Sequence, residues 1–318
     1  MSLIAFIGFL SIAILGPLWP WMMKWKVRTF PRQHLRDPDM GHAISPYFQK
    51  KLFLPSSGEY IFKTDEIEQQ KCETIILYLS GFTAGTEEIF PVVEQVSKHF
   101  GWPAFFHRHP GHGGLPQTMG LVRVEDYILS VEQSYELARR IAKEVIVIGT
   151  STGAALGLDL ALKHEVKALV MISPNFKLRD WRSQFCRGPL GARILRMMIG
   201  PWIHVPSDSQ QVSQRWVRKY PMRALATLID LTAIMSSNRP RDLQCPGLAF
   251  LADADPTIHS QYARAFLEGA PNIQTIVYHS AAHVLAGQWT APENTQAVVA
   301  EIKNFLEIKV KRTKLDSN

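Results

Sequence analysis

Hydrophobic and polar positions fall into three patterns along the chain. The first is an unbroken apolar run from Leu3 to Met23, 21 residues without a charge and with Ser11 as the only hydroxyl. As a helix rising about 1.5 Å per residue it extends roughly 30 Å, one hydrocarbon core. Trp19, Trp21 and Trp25 cluster at its C-terminal end, as in an aromatic belt. Lys24, Lys26, Arg28, Arg32 and Arg36 follow, and no Lys or Arg precedes. The pattern predicts an N-terminal membrane anchor over 1–25, a single transmembrane helix. The positive-inside rule then predicts a body that faces the cytoplasm. A cleaved signal peptide is the rival, but neither a positive n-region nor a small-residue cleavage site is evident. Pro17 and Pro20 can kink or end such a helix, which also permits a shallow interfacial anchor.

After a linker over 26–46, the second pattern is an alternation. Tyr47 to Phe62 carries short strand-like pieces broken by Pro55 and the Ser56-Ser57-Gly58 turn. Thr74–Leu79 is a continuous apolar run, typical of a strand buried on both faces. Ala104–Phe106, Val145–Ile148, Ala168–Ile172, Leu248–Leu251 and Thr275–Tyr278 read as further strands. Helical spacing marks 125–142, and helices are also expected over 153–162, 261–267 and 293–306. Strands alternating with helices predict an α/β fold: a mostly parallel sheet with helices on both faces.

The third pattern is a long interruption of that alternation over 174–243, expected to form a helical cap above the strands' C-terminal ends. Ligands bind at those ends in such sheets. The core is therefore expected over 47–173 and 244–310, with a basic tail over 311–318. Charge sharpens this picture. The chain carries +7 in total. Residues 174–241 alone hold 12 Lys/Arg against 3 Asp/Glu, or +9. Trp181, Phe185, Met197, Met198, Trp202 and Trp216 lie in the same segment. Basic and apolar residues interleaved in this way suit an anionic lipid interface at least as well as nucleic acid. No nucleic-acid motif accompanies them, so no nucleic-acid partner is expected. Cys72, Cys186 and Cys245 are widely spaced with no CxxC pair, which argues for reduced thiols.

The chemistry centres on Gly149-Thr150-Ser151-Thr152-Gly153, between an apolar strand and a small-residue helix. Two glycines permit the tight turn that lifts a serine hydroxyl clear of a sheet, and the helix N-terminus favours developing negative charge. A serine needs a base, and the base a carboxylate. In the order Ser, acid, His, Asp255 and His283 stand just past predicted strand ends. Asp253 and His279 compete for those roles. Backbone amides of Thr152 and of Phe82, in the loop Ser80-Gly81-Phe82-Thr83-Ala84-Gly85, are the expected oxyanion donors.

From Thr74 onward, roughly three quarters of the chain resembles the α/β-hydrolase superfamily, in its carboxylesterase and monoacylglycerol lipase branch. The resemblance rests on Gly81-Phe82-Thr83, Pro110-Gly111-His112-Gly113, the serine elbow, Asp255 and His283. It implies hydrolysis of a carboxylic ester through an acyl-enzyme, with no metal or cofactor. Two departures stand out. Most relatives have His where this chain has Ser80, and the acid motif reads Ala-Asp-Ala-Asp without a leading Gly. Alternating His107, His109 and His112 resemble a metal cluster on paper, but coincide with the family's Pro-Gly-His-Gly loop. An acyltransferase using the same triad, or a non-catalytic binding protein on this fold, are the other readings. The anchor makes a small-molecule or lipid ester, such as a monoacylglycerol or lysophospholipid, the expected substrate. Oligomeric state leaves no mark in the sequence.

Overall fold

The computed structural model describes residues 51–54, 59–61, 69–112, 115–185, 187–205 and 216–311. The anchor expected over 1–25, the linker and the basic tail beyond 311 lie outside the described residues, as does Cys186. Among the described residues no helix is long and apolar enough to cross a membrane. Cys72 and Cys245 are free thiols.

The body is one eight-stranded sheet. Its strands are β1 (Lys51–Leu54), β2 (Glu59–Ile61), β3 (Cys72–Leu79), β4 (Ala104–His107), β5 (Ala142–Thr150), β6 (Ala168–Ile172), β9 (Gly247–Ala252) and β10 (Ile273–Tyr278). They lie in the order β10-β9-β6-β5-β3-β4-β1-β2. All neighbours from β4 to β10 pair in parallel, and β1 and β2 close one edge antiparallel. The helices are α1 (Val92–Phe100), α2 (Val124–Ile141), α3 (Thr152–Ala161), α4 (Gly188–Ile199), α5 (Met222–Met235), α6 (Ser260–Leu267) and α7 (Pro292–Leu306).

The continuous apolar strands have their reason in the two cores. Ile75, Leu77 and Leu79 of β3 enter one core with residues of α2, α3, α5 and α6. Ile76 and Tyr78 enter the other with residues of α1 and α7. Alternating side chains are thus both buried, which removes the polar alternation of a half-exposed strand. Helix α1 falls where the sequence pattern predicts no element. Its valines have low helix propensity, and burial of Val92, Val93 and Val96 against the sheet holds it.

Between β6 and β9 the chain forms α4, α5 and a two-stranded antiparallel hairpin, β7 (Trp202–His204) with β8 (Lys219–Pro221). The pattern predicts a helical cap here; the segment holds this hairpin as well as its helices. Leu195, Met222, Ala226 and Ile229 make a small core of its own. Leu231, Ile234 and Met235, at the end of α5, join the main core instead. Strand order reverses between β3 and β5: β4 lies on one side of β3, while β5, β6, β9 and β10 extend from the other. The crevice at such a switch point is where this architecture places a site.

Candidate active site

Ser151 stands between β5 and α3 with φ 52° and ψ −113°, a conformation rare for a residue with a side chain. The flanking glycines explain how the turn closes. A Cβ on Gly149 would lie 2.6 Å from the Gly153 carbonyl oxygen, and one on Gly153 only 2.2 Å from that of Leu79. Helix α3 therefore packs backbone to backbone against the end of β3, which brings the loop after β3 beside the serine. The Ser151 amide donates to the Ile172 carbonyl at 2.8 Å, and the Ser151 carbonyl accepts from Asn175 and Ala155 at 3.0 and 3.1 Å. The strained conformation is fixed from several sides.

His283 lies past the end of β10, and its Nε2 is 2.9 Å from Ser151 Oγ. Its Nδ1 is 2.8 Å from Asp255 Oδ2. Asp255 lies past the end of β9 and is 1% exposed. Its other oxygen accepts from the amides of Thr257 and Ile258 at 2.7 and 3.0 Å. Both oxygens of that carboxylate are thus held, and its orientation toward His283 is set. The sequence competitors are brought together elsewhere: His279 Nδ1 lies 2.6 Å from Asp253 Oδ2, with the His279 side chain 95% exposed. That hydrogen bond holds the Asp253 carboxyl below its usual range. Geometry therefore separates the two Asp–His pairs: Asp255 and His283 meet Ser151, and Asp253 and His279 sit on the surface.

The loop after β3 is held by residues that sequence reasoning did not assign. His109 Nε2 lies 2.7 Å from the Ser80 carbonyl oxygen. His107 Nε2 is 3.2 Å from His109 Nδ1, and Ser134 Oγ is 2.8 Å from His107 Nδ1. The carbonyl can only accept, so the protons run one way: Ser134 to His107 to His109 to Ser80. His112 Nε2 accepts the Thr83 amide at 2.8 Å, and its Nδ1 faces the Pro110 carbonyl at 3.0 Å. Both nitrogens of all three rings are committed to protein partners, and no group suited to hold a metal forms among the described residues. Burial lowers His109 to about 3 and His112 to about 4, so both are neutral at physiological pH.

Glu88 Oε2 accepts the Gly81 amide at 2.7 Å and the Tyr78 hydroxyl at 2.8 Å. Burial pushes this carboxyl up to about 7. In sequence, Glu88 sits in Glu87-Glu88-Ile89-Phe90 and reads as part of a solvated turn; only its apolar flank hints at burial. Phe82 is half-buried, with its ring edge-on to His112 and Tyr220 at 5.8 and 5.4 Å. The Phe82 and Thr152 amides, the expected oxyanion donors, belong to two loops that touch through Gly153.

The family model for serine aminopeptidase, S33, matches residues 70–288. The chain belongs to that family. It is an α/β-hydrolase of the monoacylglycerol lipase-like branch. It is similar to a thermostable monoacylglycerol lipase of Bacillus sp. (strain H-257), 25% identical over 61% of this chain and 75% of that protein. Among solved structures, this hydrolase resembles a monoacylglycerol lipase of Paleococcus ferrophilus, with TM-score 0.60, 14% identity and coverage of 81% and 99%. A soluble variant of monoglyceride lipase from Saccharomyces cerevisiae, in complex with a substrate analog, aligns with TM-score 0.61, 14% identity and coverage of 82% and 92%.

Proposed function

We propose that this α/β-hydrolase is a serine esterase that cleaves a carboxylic ester through an acyl-enzyme. The observation that carries the reading is the continuous contact from Ser151 Oγ to His283 Nε2 at 2.9 Å and from His283 Nδ1 to Asp255 at 2.8 Å. His283 takes the Ser151 proton as Oγ attacks the ester carbonyl. Asp255 stabilises the imidazolium and keeps Nδ1 protonated. The Phe82 and Thr152 amides hold the oxyanion, and the alcohol leaves with the proton from His283. Water then attacks the acyl carbon by the same route and frees the acid.

The substrate class we favour is a lipid-derived ester, a monoacylglycerol or lysophospholipid. Three features support it: the kinship to monoacylglycerol lipases, the apolar run Leu3–Met23 with its basic flank, and the surface of α4. There Met197, Met198 and Ile199 are exposed beside the exposed Arg193 and Arg196. The proposed arrangement is a single-pass anchor with the body on the cytoplasmic side.

Hydrolysis of p-nitrophenyl esters of increasing acyl length, in detergent, tests the reading with wild type beside Ser151→Ala. Wild type should turn over and favour a medium or long chain, and the variant should lose about 10⁴-fold or more. Aminoacyl p-nitroanilides serve as the peptidase control and should stay uncleaved. Equal inertness of both folded proteins on all esters would remove the esterase reading and leave acyl transfer or a binding role.

A further inference from the structure

Three loops carry the candidate chemistry: the one after β3, the serine elbow after β5, and the His283 loop after β10. Glu88 and its segment touch all three. Its carboxylate accepts the Gly81 amide and the Tyr78 hydroxyl, at 2.7 and 2.8 Å. That hydroxyl lies 3.3 Å from Oγ1 of Thr150, the residue before Ser151. On the backbone side, the Gln288 amide donates to the Phe90 carbonyl at 2.8 Å, and a Cβ on Gly287 would lie 2.9 Å from the Glu88 carbonyl oxygen.

The peptide unit joining Ser80 to Gly81 is pinned at both ends, its carbonyl by His109 and its amide by Glu88. The unit joining Phe82 to Thr83 is pinned at its amide by His112. Between them lies the unit that carries the Phe82 amide. With both neighbours fixed it can turn only by opposite rotations at Gly81 ψ and Phe82 φ, and a flip would drive Phe82 to a positive φ, which a bulky side chain disfavours. A flip there would turn an oxyanion donor into a carbonyl. Among the described residues the buried Ser80 hydroxyl has no partner, so the side chain beside the loop glycine makes no bond there that holds the loop. A Cβ on Gly81 would meet Glu88 Oε1 at 2.6 Å, so any other residue there would displace that carboxylate. Glu88 is 2% exposed, and among the described residues no Lys or Arg pairs with it. A carboxylate in such surroundings is costly unless its acceptor capacity is used.

We propose that Glu88 is the positioning residue of the oxyanion loop, orienting the Phe82 amide toward the oxygen of the reacting carbonyl by fixing the Gly81 amide. The proposal rests on the serine esterase reading. Its expected signature is a loss specific to the tetrahedral state, in which the oxyanion bond is fully made.

The test uses the full chain in detergent, with Ser151→Ala, Glu88→Ala and Glu88→Gln beside wild type. Active sites are counted by burst titration, and thermal melts check folding. A short-chain p-nitrophenyl ester gives kcat and KM. An alkyl trifluoromethyl ketone gives Ki: the serine oxygen adds to its carbonyl carbon, the serine proton passes to His283, and the carbonyl oxygen becomes the oxyanion. Glu88→Ala should lower kcat per active site about 100-fold, the size of a lost oxyanion donor. KM should stay within about 3-fold, and Ki should rise in step with the fall in kcat. Glu88→Gln keeps an acceptor for the Gly81 amide and should lose about 10-fold or less. Unchanged kcat and Ki per active site in folded Glu88→Ala would overturn the proposal, as would a rise in KM alone. If Glu88→Ala fails to fold, Glu88→Met, which fills a similar volume but offers the Gly81 amide no oxygen acceptor, decides on the same two readouts. Full turnover by Ser151→Ala would sink the serine reading itself. An inert Ser151→Ala beside Glu88 variants that match wild type would sink only the positioning role.

Discussion

The floor of the candidate site and the segment above it solve opposite problems. The floor buries polar groups: Glu88, His107, His109 and His112 are all 2% exposed or less. The segment between β6 and β9 exposes apolar ones: Trp181 is 68%, Met197 85% and Met198 70% exposed. Buried polar groups demand partners with defined directions, and each of the four has them. Such a network fixes loop geometry. Exposed apolar side chains such as Met197 and Met198 leave surface open to something outside the molecule. The two regions meet along one seam. The Thr83 carbonyl accepts the Val217 amide at 2.8 Å, and Ala84 bridges to Trp216. Phe82 packs on Tyr220 of β8. The loop that carries an expected oxyanion donor is thus also one of the places where the upper segment is attached.

The buried side of this contrast should break most sharply at the acid. Asp255→Ala is expected to lower kcat/KM by about 10³–10⁴-fold, through loss of the group that orients His283. Asp253→Ala removes an exposed pair with His279 and an acceptor for the Ser280 amide, and should stay within about 3-fold. Parallel kinetics of the two variants on one ester measure the difference. Similar losses in both would show that the surface pair takes part.

The histidines under the loop yield a pH prediction. Folding lowers His109 to about 3 and His112 to about 4, from an ordinary value of 6.5. Between about pH 4 and 6.5 the unfolded chain therefore binds more protons at these sites, and stability is lost as pH falls. The slope is about 1.4 kcal/mol per pH unit for each group. Glu88 acts in the opposite sense. Raised from 4.5 to about 7, it retains its proton longer when folded, so its contribution declines as pH rises through that window. Two histidines outweigh one carboxyl, and net stability at these sites should fall from pH 6.5 to 5. Urea midpoints across that range check this. His109→Gln keeps a donor for the Ser80 carbonyl but does not titrate, and should reduce the slope by about 1.4 kcal/mol per unit.

What the sequence revealed follows the same division. Ser151, Asp255 and His283 were readable because backbone rules place them: a glycine-flanked elbow and two strand ends, in one order along the chain. Asp253 and His279 could not be eliminated, because both stand within two or three residues of the same strand ends and only side-chain direction separates them. Glu88 and Tyr78 were not legible as partners, since a carboxylate beside another in a turn looks solvated until the fold buries it. The histidine run showed its spacing but not its task, which depends on a loop about thirty residues earlier meeting it across β3 and β4. The hairpin β7–β8 was missed because its strands have three residues each, too few for any periodicity to register.

The exposed side of the contrast gives the smallest expected effect and the most specific one. If α4 faces a bilayer, Met197→Ser with Met198→Ser removes two side chains whose partial insertion contributes about 1 kcal/mol each at most. In full-length protein reconstituted into vesicles containing phosphatidylglycerol, hydrolysis of a monoacylglycerol in the membrane should fall about 3- to 10-fold. Hydrolysis of a short water-soluble ester by the same vesicles should not change, since both methionine side chains point largely into solvent, 85% and 70% exposed. Raised salt should weaken wild type on the lipid ester alone, because the excess of +9 over 174–241 acts on anionic headgroups through a screened interaction. A double variant that instead raises KM for the soluble ester would place these methionines on the substrate's path into the site. The bilayer face would then have to be sought elsewhere on the segment.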